Sequence, residues 1–133
     1  MVYIADHAED QVLFFDMTFL PLVEAVAGRV KTIKKFVAMT DRAHMPKESK
    51  IAGLLCIEDL VDAQDDHFEW PVFDENLASS LCYTSGTTGN PKGVLYSHRS
   101  TVLHTFAIAL PDALNVSARD SILPVVPDRK SVV

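Results

Sequence analysis

The sequence has few cysteines, no long apolar run and no excess of positive charge, and each absence excludes a class of protein. Cys56 and Cys82 form no Cys-x-x-Cys pair and have no histidine beside them at metal-ligand spacing. They are therefore interpreted as two buried thiols, and not as a disulfide framework or a zinc site. No stretch reaches the roughly 18 uninterrupted apolar residues that a membrane-spanning helix needs. The net charge of -6 argues against binding to nucleic acid, which depends on lysine and arginine.

Other features of the composition indicate an ordinary folded protein. With 133 residues and 48% hydrophobic content, the chain can bury the core of one domain. Its first residues lack the basic segment and the cleavage site of a signal peptide, so a cytoplasmic location is expected. A run of acidic residues between 58 and 69 lacks the ligand spacing of a calcium loop, and it is interpreted as a solvated face.

Glycine is also scarce, but three of the five glycines lie within residues 86–93. Apolar residues precede and follow this segment, which predicts a loop between two strands. Glycines let such a loop turn sharply and approach a ligand closely, and hydroxyls and a lysine supply donors and a positive charge. The loop therefore suits an oxyanion such as phosphate. The predicted binding residues are Thr84, Ser85, Gly86, Thr87, Thr88, Gly89 and Lys92.

Two other interpretations of this loop, a Walker A motif and a plain turn, fit the sequence less well than an oxyanion-binding loop does. The Walker A motif is disfavoured, and with it a P-loop nucleotidase, because Pro91 and Gly93 stand where that motif requires different residues. A cluster of glycine, proline and hydroxyl residues is usually a plain turn, but a turn needs only one or two special residues. This run is longer and richer than a hairpin turn requires.

The rest of the chain predicts an α/β fold in which helices flank a partial, mostly parallel sheet. Strands are expected at residues 12–15, 36–39, 54–57, 81–83, 93–96 and 121–126. Helices are expected at 3–7, from a cap at Thr18 to about residue 30, at 58–63 and after a cap at Ser97. The first two strands and the helix between them form a right-handed βαβ unit. Asp74 is predicted to cap a single helical turn over residues 75–79. His98 is interpreted as a local structural contact and Arg99 as a solvated charge.

The order T-S-G-T-T-G-x-P-K-G over residues 84–93 resembles the phosphate-binding signature of the AMP-forming acyl-adenylate superfamily. Further blocks at residues 13–16, 18–22, 68–71 and 81–100 resemble its medium- and long-chain fatty acyl-CoA synthetase branch. The resemblance covers residues 1–127 and implies a partial AMP-binding domain, a piece of the large N-terminal subdomain of such an enzyme. Residues 128–133 resemble translated DNA-sequencing adapter and are interpreted as a non-native tail.

The resemblance also implies an activity and its ligands. Such enzymes join a fatty acid to ATP, release pyrophosphate, and transfer the acyl group from AMP to coenzyme A. By resemblance, Thr84 helps to hold Mg²⁺, whereas the later motifs that carry the catalytic residues are absent, so the chain alone is expected to be inactive. The resemblance also allows a homodimer for the longer enzyme. Two alternatives stay open, an adenylating enzyme with another acceptor and a non-catalytic module that binds phosphate or nucleotide.

Overall fold

The structure, a computed structural model, describes residues 1–84 and 89–123. The chain divides into two compact units, Met1–Glu69 and Trp70–Val133. The first unit contains a three-stranded parallel sheet with helices, and the second contains an antiparallel hairpin followed by a helix. Together they confirm the α/β class that the sequence predicts, with the parallel strands confined to the first unit.

The first unit is built around the predicted βαβ arrangement. The three strands of its sheet lie side by side in chain order, and both neighbouring pairs run parallel. Phe14 on the first strand lies opposite Val37 on the second, and Ala38 lies opposite Cys56 on the third. The elements are α1 (Val2–Ala8), β1 (Val12–Phe15), α2 (Leu20–Ala27), β2 (Lys35–Ala38), β3 (Leu55–Cys56) and α3 (Ile57–Asp62).

Helix α2 begins later than the sequence predicts, and Thr18 is not its cap. Asp16 instead caps a short 3₁₀ turn, Met17–Phe19, by accepting a hydrogen bond of 2.8 Å from the backbone N–H of Thr18. Hydrogen bonds from Thr18 also hold the pKa of Asp16 below its ordinary value. Pro21 lies in the first turn of the helix, where its missing N–H has no intrahelical acceptor to lose.

The core of the protein lies in the first unit. Phe15, Val23, Ala38 and Ile51 form one buried cluster, and Val23 is completely inaccessible to solvent. Burying each large aliphatic or aromatic side chain of this kind contributes about 1.5–3 kcal/mol relative to leaving it exposed. Cys56 is buried as predicted, and its Sγ lies 3.2 Å from the carbonyl oxygen of Thr40.

A surface contact joins the loop after β2 to helix α3. The side chain of Arg42 forms an ion pair with Asp59 and a second, at 2.9 Å, with Asp62. Both carboxylates are more than half exposed, as expected for a solvated acidic face, yet they are paired and not simply hydrated. Ion pairs at this exposure are screened by solvent and contribute little to stability.

The second unit consists of β4 (Ala78–Thr84), β5 (Lys92–Ser97) and α4 (His98–Ala109). The predicted helical turn at 75–79 is wrong. Asp74 accepts hydrogen bonds of 2.8 and 2.9 Å from the backbone and side chain of Asn76, which closes a turn, and the strand then starts at Ala78. Such local side-chain bonding competes with helix formation.

The second unit buries none of its described residues. Cys82 is exposed, so its predicted burial is wrong for this structure. Large apolar residues of α4, Val102, Leu103 and Phe106, are exposed as well, and Phe106 is 69% exposed. The strand predicted at 121–126 is wrong over 121–123, which have no regular structure, and its remaining residues lie outside the described part. No helix in residues 1–84 and 89–123 is long and apolar enough to cross a membrane.

Candidate phosphate-binding site

The two ends of the predicted phosphate loop are strand ends. Strand β4 finishes at Thr84 and β5 starts at Lys92, which confirms the predicted strands on both sides of the motif. Thr84 and Lys92 are direct cross-strand partners in the antiparallel register. The site therefore has a hydroxyl and an ammonium-bearing side chain facing each other across its mouth. Ser85, Gly86, Thr87 and Thr88 lie outside the described residues.

The alternation of side chains along the two strands places Thr84 and Lys92 on the same face of the hairpin. Successive side chains of a strand point to opposite faces, so Cys82 and Thr84 share one face and Leu81 and Tyr83 share the other. The register puts Lys92 on the face of Thr84, which we call the polar face. A ligand held by both residues would therefore contact the hairpin from this side.

The charge of Lys92 is available to a ligand. Within the described parts of the chain, no carboxylate forms an ion pair with Lys92, and the residue is exposed. An exposed ammonium group is a compact point charge with three donors. It can therefore bind an anion without first giving up a protein partner.

The two described glycines of the motif serve different purposes. Gly89 has φ of +92°, a conformation that residues with a β-carbon rarely adopt, as the predicted sharp turn requires. Gly93 has no positive φ, so the predicted need for backbone freedom is wrong at this position. A β-carbon on Gly93 would instead lie 3.0 Å from Cδ1 of Leu81 and 3.3 Å from Cε1 of Tyr83. The absence of a side chain at position 93 leaves room for the side chains of Leu81 and Tyr83 on the opposite strand.

The predicted cap of the following helix is confirmed. Ser97 accepts a hydrogen bond of 3.1 Å from the N–H of Ser100, and the hydroxyl of Ser100 accepts one of 3.0 Å from the N–H of Ser97. This reciprocal capping box satisfies two backbone donors at the start of α4. Ser79 also links strand and helix, because its hydroxyl donates to the carbonyl of Tyr96 at 3.1 Å and lies 3.2 Å from the hydroxyl of Thr101.

The basic residues after β5 are engaged elsewhere. The ring of His98 lies 4.6 Å from that of Phe73, centroid to centroid, which fits the predicted structural contact. Arg99 is not simply solvated, because its guanidinium pairs with Glu75 and its N–H donates to the carbonyl of Glu75 at 2.8 Å. The sequence carries no signal for these partners, since they are distant along the chain. Neither contact supports a phosphate-binding role for His98 or Arg99.

A groove of about 550 Å³ lies between the hairpin and α4. It includes Cys82, on the polar face, and His104, for which the sequence suggests no partner. Hydroxyl groups from the strands and the helix make up much of the remaining lining. The lining residues are Ser80, Cys82, Tyr96, Ser100, Thr101, His104 and Thr105.

Comparison with known proteins identifies the class to which this fold and loop belong. The profile of the AMP-binding enzyme family matches residues 1–127, nearly the whole chain. The chain therefore belongs to the AMP-binding enzyme family.

Similar proteins of this family are acyl-CoA ligases. Over 127 residues, the chain is 55% identical to a medium-chain-fatty-acid–CoA ligase of Ectopseudomonas oleovorans and 58% identical to a 3-methylmercaptopropionyl-CoA ligase of Ruegeria lacuscaerulensis. It is 46% identical to a long-chain-fatty-acid–CoA ligase of Thermus thermophilus. Each match covers 96% of this chain but only 22–23% of the relative, so the chain spans under a quarter of their length.

A solved structure shows the same local fold. The crystal structure of an anthranilate CoA ligase in complex with anthranoyl-AMP superimposes with a TM-score of 0.63 at 31% identity. The match covers 73% of this chain and 17% of that enzyme. The arrangement of strands and helices is thus shared with an enzyme that holds an acyl-adenylate.

Proposed function

We propose that this chain supplies the phosphate-binding loop of an AMP-forming fatty acid–CoA ligase. In this reaction a carboxylate attacks the α-phosphorus of ATP, which gives an acyl-adenylate and pyrophosphate. The thiol of coenzyme A then attacks the acyl carbon and AMP leaves. Membership of the AMP-binding family and the acid–CoA ligase activities of the named relatives support the proposal.

The observation that carries the proposal is the pairing of Thr84 with Lys92 at the mouth of the loop. The first chemical step places negative charge on the departing pyrophosphate. A positioned ammonium and hydroxyl stabilise that charge as it develops, and such preorganised groups supply a large part of enzymatic rate enhancement. Ser85, Gly86, Thr87, Thr88 and Gly89 complete the proposed cradle with hydroxyls and backbone N–H groups.

Mg²⁺ is part of the proposal through Thr84. A hydroxyl oxygen suits a hard cation that prefers oxygen ligands, and Mg²⁺ usually keeps waters and substrate phosphate oxygens as most of its ligands. In residues 1–84 and 89–123 no cluster of three acidic, histidine or cysteine side chains is placed to hold a metal ion. Thr84 would provide one ligand to the ion, and the charge of the ion would offset that of the phosphates.

The acid is proposed to be a fatty acid. Two of the named relatives are ligases of medium-chain and long-chain fatty acids, and a third acts on 3-methylmercaptopropionate, a short acid. The identities to these three differ by only 12 percentage points, from 46% to 58%. The length of the acid must therefore be varied when the proposal is tested. A cytoplasmic location and a homodimeric assembly are further predictions for the whole enzyme.

A segment exchange tests the proposal. Residues 1–127 would replace the matching 127 residues of the Ectopseudomonas oleovorans ligase, and pyrophosphate release would be measured with fatty acids of graded length. We expect an active enzyme in which Lys92→Ala lowers kcat/KM for ATP by about 10²–10³-fold, the order lost with one group that stabilises a transition state. Lys47→Ala, which removes an exposed lysine from the first unit, is the matched control and should change little.

Four results would contradict parts of the proposal. An inactive exchange protein, or a Lys92→Ala variant with wild-type kinetics, would contradict the proposed role of the loop in catalysis. Acyl-adenylate that forms normally but never passes to coenzyme A would favour an enzyme with another acceptor. Binding of ATP without any pyrophosphate release would favour a non-catalytic nucleotide-binding module. The 133-residue chain alone is expected to release no pyrophosphate.

A further inference from the structure

Gly93 lies on the face of the hairpin opposite to Thr84 and Lys92. The register pairs it with Tyr83, and Leu81 lies diagonally beside it on the same face. A β-carbon at Gly93 would meet Cδ1 of Leu81 at 3.0 Å and two ring atoms of Tyr83 at 3.3 and 3.4 Å. These separations are shorter than ordinary carbon–carbon contacts of about 3.5–4.0 Å. The side chains of β4 thus occupy the space that a side chain on Gly93 would need.

The hairpin needs a local device to fix its register. The connection between Thr84 and Lys92 is longer than the two-residue turns that set a register by themselves. At the far end of the hairpin, the pairing is irregular between Ala78 and Ser80. Large cross-strand neighbours over a glycine are a known means of pinning strand pairing. The Tyr83–Gly93 pair stands one residue from the Thr84–Lys92 pair, where pinning has most effect.

We propose that Gly93 is a positioning residue of the phosphate site. By leaving room for Tyr83 and Leu81, it fixes the register that sets Thr84 opposite Lys92. A shift of one residue would turn Lys92 or Thr84 to the other face, because side chains alternate along a strand. Gly93 contributes no side chain to the site, and its proposed role is to fix the register. The part of this proposal that concerns phosphate rests on the proposed function.

The test uses isotopically labelled 133-residue chain and two separate readouts. Nuclear Overhauser contacts between Tyr83 and Gly93 and between Thr84 and Lys92 report the register. Titration with inorganic pyrophosphate reports the site. For Gly93→Val we expect the wild-type register contacts to disappear and the pyrophosphate dissociation constant to rise about tenfold, because small misplacements of positioned groups have effects of this order. Gly93→Ala should show the same changes to a smaller extent.

A second-site change separates positioning from general damage. Leu81→Ala removes the atom that lies nearest to the added methyl group, so Gly93→Ala/Leu81→Ala should regain both the register and pyrophosphate binding. Gly28→Ala is the matched control, because a β-carbon at Gly28 has no neighbour within 4 Å and its φ is -75°. Contacts between Phe14 and Val37 in the first unit verify that each variant is folded there.

The outcomes distinguish this proposal from the proposed function. Unchanged register in Gly93→Val would overturn the positioning role, whether or not pyrophosphate binding falls. A changed register with unchanged binding would overturn it too, and so would failure of the double variant to recover. If the isolated wild-type chain binds no pyrophosphate, the link between register and phosphate binding fails for this chain. The segment exchange still decides the proposed function, and the register contacts still decide whether Gly93 pins the hairpin.

Discussion

The two units of the chain are stabilised in different ways. The first unit buries a compact cluster of apolar side chains, and Val23 and Ala38 in it are fully inaccessible. The second unit has no buried residue in its described part and is held by the backbone pairing of β4 with β5, by the capping box of Ser97 and by the Arg99–Glu75 pair. The phosphate loop, on which the proposed function depends, belongs to this second unit, whose described residues form no buried core.

The difference between the units follows from how each arrangement of strands and helices can bury apolar side chains. A parallel βαβ arrangement covers its sheet with its own helix and can therefore build a core from a short segment. An isolated hairpin is only marginally stable in water, and one helix beside it leaves many apolar side chains exposed. Within this chain, which spans under a quarter of its relatives' length, the geometry of the site therefore depends on local features such as the cap at Ser97 and the positive φ of Gly89.

Replacing Val23 with aspartate should have the largest effect. An unpaired carboxylate at a completely buried position should destabilise the first unit by about 4 kcal/mol or more. Val102→Asp makes the same change at a position of α4 that is 53% exposed, and it should alter stability by only about 0.5 kcal/mol. Residue-resolved hydrogen exchange of the amides in β1, β2 and β5 would compare the units. Equal losses from both substitutions would refute the difference in how the two units are stabilised.

Gly89→Ala should weaken the hairpin without affecting the first unit. Its φ of +92° is costly for a residue with a β-carbon, and the left-handed region alone costs about 1–2 kcal/mol. Faster hydrogen exchange of the β4 and β5 amides, with unchanged exchange in β2, is the expected result. Gly28→Ala has an ordinary φ and open space, so it should leave the hairpin unchanged. If Gly89→Ala exchanged like wild type, the positive φ would not be needed there.

The sequence predicts the parts of the fold that depend on local pattern. Apolar runs locate β1 and β2, and the serine at position 97 correctly marks the start of α4. The failures have a different origin. Asp16 and Asp74 each bond to a backbone N–H two residues ahead, which moves one helix start and replaces a predicted helical turn. Such short bonds compete closely with helix formation, and sequence pattern alone does not decide between them.

For the candidate site, the sequence predicts the chemistry but not the geometry. The motif names Thr84 and Lys92, whereas their direct pairing depends on the antiparallel register of the hairpin. The ion pair of Arg99 and the ring contact of His98 join residues that are distant in sequence. The motif predicts a need for backbone freedom at Gly93, although its actual requirement is space beside Tyr83. The sequence does not show which residue lies across the strand, so it does not reveal this requirement.

Ser97→Ala should have a smaller effect that is confined to the second unit. Loss of a serine cap typically costs about 1 kcal/mol, because the N–H of Ser100 loses its acceptor, whereas the bond from the backbone N–H of residue 97 to the Ser100 hydroxyl does not need the Ser97 side chain. The first amides of α4 should exchange faster, whereas those of β2 should not change. Ser97→Thr retains a hydroxyl that can cap the helix and should behave almost like wild type. A similar loss in both variants would show that the cap is not the cause.

The smallest expected effect on stability concerns Glu24, whose surface hydrogen bonds to Ser49 and Lys50 we call the Glu24 anchor. Its carboxylate accepts hydrogen bonds of 2.9 Å from the backbone N–H of Lys50 and from the hydroxyl of Ser49. These bonds, the backbone one most strongly, hold the pKa of Glu24 below its ordinary value. A lowered pKa in the folded state means that the carboxylate stabilises the fold above the ordinary pKa of about 4.3, and that this stabilisation is lost as the pH falls through the lowered value.

Ser49→Ala removes one of these two donors and should raise the pKa of Glu24 part of the way towards its ordinary value. The remaining bond from Lys50 comes from the backbone and survives the substitution, so a complete return is not expected. Ser49→Thr keeps a hydroxyl and serves as the control. A carbon-13 NMR titration of the Glu24 carboxyl group would measure the change directly. Coincident titration curves for wild type and Ser49→Ala would show that the hydroxyl does not influence Glu24, and the anchor would then consist of the Lys50 bond alone.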